Sequence, residues 1–263
     1  KEEKAAGHLG PEAHPRSRPA DVEAEAVARY MRIARLADSP AYVVHLSTAD
    51  GLEEALRARK RGQAVCLETC PQYLLLTDEC YNREDGAKFV MSPPLRQASD
   101  NERLFQAVAD GEIDVIGTDH CSFTMAQKAI GKYDFSKIPN GIPGVGDRPR
   151  LIYSYGVLSG RMSENRMVEC LSAMPARVFG MPDRGRIAPG MAADLVIWGK
   201  NAHTRITDTN HAHNCDNSPY SGFDVTGAAR DVFVNGAHVV RNGILERPGE
   251  GKFIERQRCE IKG

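Results

Sequence analysis

Two short stretches carry residue types suited to hydrolytic chemistry. "YVVHLS" brings an apolar run to His45, and "VIGTDHCSF" brings another to Thr118, Asp119 and His120. An imidazole and a carboxylate at strand ends can ligate a metal ion or exchange protons with a substrate. Either residue alone is more often a hydrogen-bonded structural group, and a catalytic zinc takes about three protein ligands. The pair on one rim shifts the reading toward a metal or acid–base site. His120 either points into that site or packs beside it, and Glu68, after "AVCL", is either a ligand or a structural acceptor. The loops "MSPPLR" and "KIPNG" read as ordinary proline turns, or as segments in which Ser92 and Asn140 offer backbone groups to a polar ligand. His211 and His213 form an HxH pair, but in the polar stretch "TDTNHAHNCDNSPY" they read as a surface loop of a β region.

The elements that must position these residues follow from hydrophobic period. "DVEAEAVARYMRIARLA" places Val22, Val27, Tyr30, Met31, Ala34 and Ala37 on one stripe, an amphipathic helix entered after Pro19. "AYVVHLS" predicts a buried strand, "GLEEALRARK" a helix ended by Gly62, and "AVCLE" a second strand. "DNERLFQAVADG" predicts a helix capped by Asp100 and stopped by Gly111, and "IDVIG" a third strand. Strands alternating with helices imply βαβ crossovers and a parallel sheet, whose carboxyl edge is where ligands bind. His45, Glu68 and Asp119 fall at that edge. "SENRMVECLSAMPARVFG" predicts a further helix, capped by Ser163, with Met167, Val168, Leu171, Met174 and Val178 buried. Beyond Gly180 the texture becomes β: "RIAPGMAADLVIW", then "DVFVNGAHVVRNGIL" with Asn235-Gly236 as a type I′ turn. The expected division is therefore an α/β part over residues 1–180 and a small β part over 181–263.

Composition narrows the partners. Lys plus Arg total 34 against 35 for Asp plus Glu, with no long single-sign block, so nothing favours nucleic acid or a membrane surface. No apolar run approaches the ~18 residues of a membrane span and no signal peptide precedes the first helix, so the chain is read as cytoplasmic. Seven scattered cysteines without a CxxC pair argue for reduced thiols, with Cys66 and Cys70 as buried core residues. The chain opens "KEEKAAGHLG", with no initiator Met and no strand before the first helix, and is read as a processed chain or an internal fragment.

Taken in order, "GPEAHPRSRP", "YVVHLS", "ETCPQYLLL", "MSPPLR", "GTDHCSF", "KIPNG" and "GMAADLVIW" resemble the dihydropyrimidinase and hydantoinase family of cyclic amidohydrolases over nearly the whole chain. Each motif is weak alone; seven in order are specific. The resemblance implies an α/β fold, the carboxyl-terminal part of a metal-dependent TIM-type (β/α)8 barrel, followed by part of a β-sandwich. It implies hydrolysis of the cyclic amide of dihydropyrimidines or 5-substituted hydantoins, with two divalent metal ions, zinc in most members, bridged by hydroxide and a carbamylated lysine. It implies metal ligation by His45 and Asp119, proton transfer by Asp119, and substrate contacts from Ser92 and Asn140. The partners implied are a small cyclic amide or imide and further copies of the chain, as a dimer or tetramer. The family's HxH pair, carbamylated lysine and fifth-strand histidine have no counterparts here. A complete barrel takes ~250 residues, whereas three of its strands are visible, so the chain alone is expected to be inactive. A catalytically silent assembly protein of the same fold and an allantoinase-type hydrolase remain alternatives. Hydantoin and dihydropyrimidine are not separated by these motifs.

Overall fold

The computed structural model describes residues 1–259 and 261. The chain forms two compact units: Lys1–Arg148 with Ile206–Phe223, and Pro149–Arg205 with Asp224–Ile261. Residues 206–223, expected within the β part, thus cluster with the first unit.

The first unit is built on the predicted alternation. Helix α1 (Ala20–Leu36) leads to strand β1 (Ala41–Val43), helix α2 (Ala49–Lys60), strand β2 (Val65–Thr69), helix α3 (Ala98–Asp110) and strand β3 (Val115–Ile116). The strands pair in parallel in the order β1-β2-β3, with Ala41 opposite Val65 and Glu68 opposite Val115. Leu52, Ala55 and Ala58 of α2, Leu67 of β2, and Leu104, Phe105 and Val108 of α3 form one buried core. Each large aliphatic or aromatic side chain buried there contributes about 1.5–3 kcal/mol, so Leu67→Ala would cost about 2–5 kcal/mol.

The amino-terminal ends of β2 and β3 are tied by a single arginine. Arg59 donates to the Val65 carbonyl at 2.9 Å, to the Glu112 carbonyl and to the Asp114 carboxylate, which also accepts from Leu67 N at 2.8 Å. The opposite, carboxyl ends are thereby left to the loops.

Several local expectations shift. Helix α3 starts at Ala98 after Gln97, so Asp100 sits in its first turn; its carboxylate instead accepts from Ala49 N at 2.8 Å, at the start of α2. Gly111 ends α3 with φ 82°, the left-handed conformation glycine adopts without a Cβ clash. On α1 the buried stripe narrows to Val27, Met31 and Ala34, spaced four and three apart, while Val22 and Tyr30 stay exposed.

In the second unit Ser163 caps its helix by accepting from Arg166 N, as expected. The helix itself is not uniform: α-helical Glu164–Val168 and Met174–Val178 flank a π-helical turn, Glu169–Ala173. The wider turn rotates the buried face, so Met167, Cys170, Ala176 and Val178 are buried whereas Val168 is exposed. An antiparallel sheet follows, β4 (Leu195–Arg205), β5 (Asp224–Val234), β6 (Ala237–Arg241) and β7 (Ile244–Leu245), in sequence order. Asn235 and Gly236 both have positive φ between paired Val234 and Ala237, the geometry of a type I′ turn.

Candidate active site at the carboxyl edge of the parallel sheet

His45 and Asp119 follow the ends of β1 and β3, and both adopt left-handed backbone, with φ 40° and 49°. Such conformations are uncommon for residues other than glycine, and they cluster where surrounding structure over-determines them. His45 N donates to Glu68 Oε1 at 3.4 Å, and the Tyr42 hydroxyl donates to Glu68 Oε2 at 2.7 Å. Burial and the Glu68 carboxylate push the Tyr42 phenol well above its ordinary range, so it remains a donor. Of the two roles open to Glu68, structural acceptor is the one its bonds describe.

That carboxylate also lies close against the residue that follows the next strand. A Cβ at Gly117, just past β3, would lie 2.7 Å from the Glu68 carboxyl carbon, so a larger residue there would push the Glu68 carboxylate out of its present position. Gly117 N donates to the Thr69 carbonyl at 2.8 Å, and Thr69 Oγ1 donates to the Leu46 carbonyl at 2.8 Å. Three strand ends are therefore knitted together around Glu68.

The loop after His45 is held from α1. The Glu23 carboxylate accepts from Ser47 N at 2.8 Å, Thr48 N at 3.0 Å and both hydroxyls, and Arg96 bonds Ser47 Oγ and Glu23. Thr48 in turn caps α2 through Gly51 N. Among the described residues, the His45 ring and the Asp119 carboxylate themselves make no hydrogen bond.

His120 packs rather than joining a cluster of ligands. Its Nδ1 accepts from Gly144 N at 3.1 Å and Val145 N at 3.3 Å, which leaves the proton of the neutral ring on Nε2. Its edge meets His213, which stacks on His211 at 3.5 Å. Both His213 nitrogens are buried without partners, and burial with its neighbouring imidazoles lowers its pKa to about 4. The HxH pair is thus a half-buried stack beside His120 rather than a solvated turn. Among the described residues no three His, Cys, Asp or Glu side chains are grouped to hold a metal ion. His45 and Asp119 are suitable donors by type, but the set within this chain is short of a closed or catalytic site.

The proline loops meet. Ser92 Oγ donates to Asn140 Oδ1 at 2.8 Å, and Asn140 Nδ2 donates to the Ile138 carbonyl at 2.9 Å. The main chain around Ser92 is clamped: the Met91 carbonyl by His14 Nε2 at 2.7 Å, the Pro93 carbonyl by the Tyr73 hydroxyl at 2.9 Å, and Leu95 N by the Tyr81 hydroxyl at 2.9 Å. Gly141 N donates to the Val90 carbonyl at 3.0 Å. The N–H and C=O of Ser92 and Asn140 themselves take no partner among the described residues. Two free peptide edges are therefore held side by side by side chains already satisfied.

Sequence reasoning passed over His14, Glu23 and Lys128. His14 stands inside the quoted "GPEAHPRSRP" without an assigned role, and its burial lowers its pKa to about 4, keeping it a neutral donor to Met91. Glu23 is one acid among several on α1 and Lys128 one lysine in "MAQKAI"; neither stretch carries a periodic or turn signal that marks it.

A profile of the amidohydrolase family matches residues 18–239. The chain is 45% identical over 257 residues to a D-phenylhydantoinase of Escherichia coli O7:K1 (strain IAI39 / ExPEC), covering 96% of this chain and 56% of that protein. Among solved structures it superposes on a D-hydantoinase (dihydropyrimidinase) from Thermus sp. with TM-score 0.94 and 38% identity, over 97% of this chain and 57% of that one. An L-hydantoinase (dihydropyrimidinase) from Arthrobacter aurescens superposes with TM-score 0.87 and 33% identity, over 94% and 55%. The chain spans a little over half the length of these relatives. Its parallel strands are part of a TIM-type amidohydrolase barrel. By family profile, then, the chain belongs to the amidohydrolase family, and within it the chain is similar to hydantoinases and dihydropyrimidinases.

Proposed function

We propose that these residues form the later part of an enzyme that hydrolyses a cyclic amide, a dihydropyrimidine or a 5-substituted hydantoin. Residues 1–180 would be the last strands and helices of the barrel and 181–263 part of its β-sandwich. The observation that carries the substrate class is the pair of unpartnered peptide edges at Ser92 and Asn140. A cyclic imide presents C=O, N–H and C=O in a row, and main-chain N–H and C=O groups fixed side by side complement that pattern.

His45 and Asp119 would each supply a ligand to a pair of divalent ions, zinc by donor type, with the remaining ligands and the carbamylated lysine outside this chain. When bound, such ions lower the pKa of water and polarise the amide carbonyl. The Asp119 carboxylate would accept the proton of the attacking water and deliver it to the leaving ring nitrogen, a base becoming an acid in one cycle. Among the described residues the carboxylate takes no hydrogen bond, which would leave one oxygen for an ion and the other for the proton. The left-handed backbone at His45 and Asp119 aims both side chains off strand ends that Glu68 and Gly117 hold together. The chain by itself would neither bind two metal ions nor turn over substrate. We further place the complete enzyme in the cytoplasm, as a dimer or tetramer with no nucleic-acid or membrane partner; among the described residues no helix is long and apolar enough to cross a membrane.

The test is hydrolysis of dihydrouracil and hydantoin, with metal analysis, by this chain alone and mixed with a polypeptide supplying the rest of a hydantoinase relative's length. Activity in the mixture that Asp119→Asn abolishes supports the proposal. Two metal ions and turnover in the chain alone would sink the incomplete-site reading. A well-folded but inert mixture would favour a silent assembly protein instead.

A further inference from the structure

We propose that Lys128 is a positioning residue for substrate, the one side chain among the described residues that bonds the main chain of both loops of the Ser92–Asn140 pair and sets the distance between their free peptide edges. The inference rests on the substrate reading above and adds the group that makes that site.

Lys128 lies at the end of helix α4 (Met125–Lys128) and is almost fully buried, with 1% of its surface exposed. A lysine so enclosed is rare unless its ammonium is satisfied. Here each of the three Nζ protons has one carbonyl: Val90 at 2.7 Å, Pro139 at 2.6 Å and Gly141 at 2.8 Å. Val90 precedes Ser92 by two residues, and Pro139 and Gly141 flank Asn140 on both sides. The Phe123 ring lies 5.5 Å from the ammonium and closes the remaining side.

Apart from the side-chain bond between Ser92 and Asn140 themselves, each other side-chain clamp described for these loops serves one of them. His14, Tyr73 and Tyr81 hold only the segment 91–95, and among the described residues the single direct main-chain link between the loops is Gly141 N to Val90 O. Both ends of that link are also Lys128 residues, since the ammonium binds Val90 O and Gly141 O. A purely structural lysine would need any three acceptors. This one takes them from the residues whose relative placement decides whether two peptide edges face one ring. Burial lowers its pKa to about 8, opposed by the neighbouring Cys121 and Cys215; the charged form is the one with a proton for every carbonyl.

The test has two arms. In the active assembly, Lys128→Met should raise KM for hydantoin and dihydrouracil tenfold or more while kcat stays within threefold, because binding contacts are displaced and His45 and Asp119 are untouched. Lys128→Arg, which retains charge and donors, should recover at least half of that loss on a logarithmic scale. In the chain alone, amide exchange at Gly141 should accelerate at least tenfold in Lys128→Met, while Leu46 N, bonded to the Glu68 carbonyl beside His45, keeps its protection. Lys128→Gln, with two donors, repeats both arms should the methionine variant fail to fold. Unchanged Gly141 exchange, equal acceleration at Leu46, or a fall in kcat with KM constant would each overturn the proposal. Because exchange needs no turnover, an assembly inactive on every cyclic amide would count against the substrate reading, and the exchange arm would still decide Lys128.

Discussion

The two halves of the candidate site are built in opposite ways. At the strand ends, His45 and Asp119 stand on left-handed backbone with side chains that bond to nothing among the described residues. At the loops, Ser92 and Asn140 have side chains bonded to each other or to main chain, and their free groups are in the backbone. On the proposed reading, His45 and Asp119 would change partners during a cycle, which suits side chains left open on a stiff support. On the same reading, Ser92 and Asn140 would recognise substrate without moving, which suits groups fixed by their surroundings.

The largest expected effect tests the first half. In the active assembly Asp119→Asn should lower kcat by about a thousandfold or more, the scale of a lost acid–base group, with the urea midpoint of the chain unchanged. A loss under tenfold would mean the carboxylate carries no proton. Next comes the support of the second half. His14 has its pKa lowered from 6.5 to about 4. Above pH 6.5 the imidazole is neutral both folded and unfolded and stability is full; as pH falls toward 4 the unfolded chain takes up a proton that the folded chain refuses. Stability should drop by up to about 3 kcal/mol across that window and then level off. Urea titrations of His14→Gln should show a shallower drop, and an unaltered one would remove His14 from the clamp. His213 titrates in the same window, so His213→Gln is the second comparison.

Smaller still is the effect on the recognition pair. Ser92→Ala and Asn140→Ala each remove the bond that holds the two edges together, worth about 1 kcal/mol, so substrate KM should rise about fivefold with little change in kcat. The reverse pattern, kcat falling at constant KM, would move Ser92 or Asn140 into the chemistry. The smallest effect returns to the strand ends: His45→Gly should raise the stability of the chain by about 0.5 kcal/mol by relieving the left-handed backbone. A loss instead would reveal a partner for the ring.

What the sequence displayed and what it hid divides along the same line. The βαβ order was legible because buried parallel strands read as apolar runs and helices as stripes; β1 and β3 fall inside "AYVVHLS" and "IDVIG", and β2 overlaps "AVCLE" and runs one residue past it to Thr69. His45 and Asp119 stood out because polar residues interrupt those runs, and Ser92 and Asn140 because prolines mark their loops. The contact between Ser92 and Asn140 spans 48 positions and has no local signature. Lys128, Glu23 and His14 act by bonding carbonyls and amides far along the chain, which no period records. The π-helical turn at Glu169–Ala173 was equally hidden, since a stripe drawn at 3.6 residues per turn cannot anticipate one wider turn.

The order in which the chain visits its two units carries a consequence for synthesis. A ribosome releases Lys1–Arg148 first, then all of Pro149–Arg205, which belongs elsewhere, and only afterwards Ile206–Phe223, which returns to the first unit. Until that return, His120 lacks the His213 ring and Gln72 lacks the Tyr220 hydroxyl that bonds it at 3.1 Å. The nascent first unit therefore waits, with an interior glutamine and an imidazole uncovered, for a segment made a whole intervening stretch later. Translation rate through 149–205 sets how long that surface is exposed to chaperones and to other nascent chains.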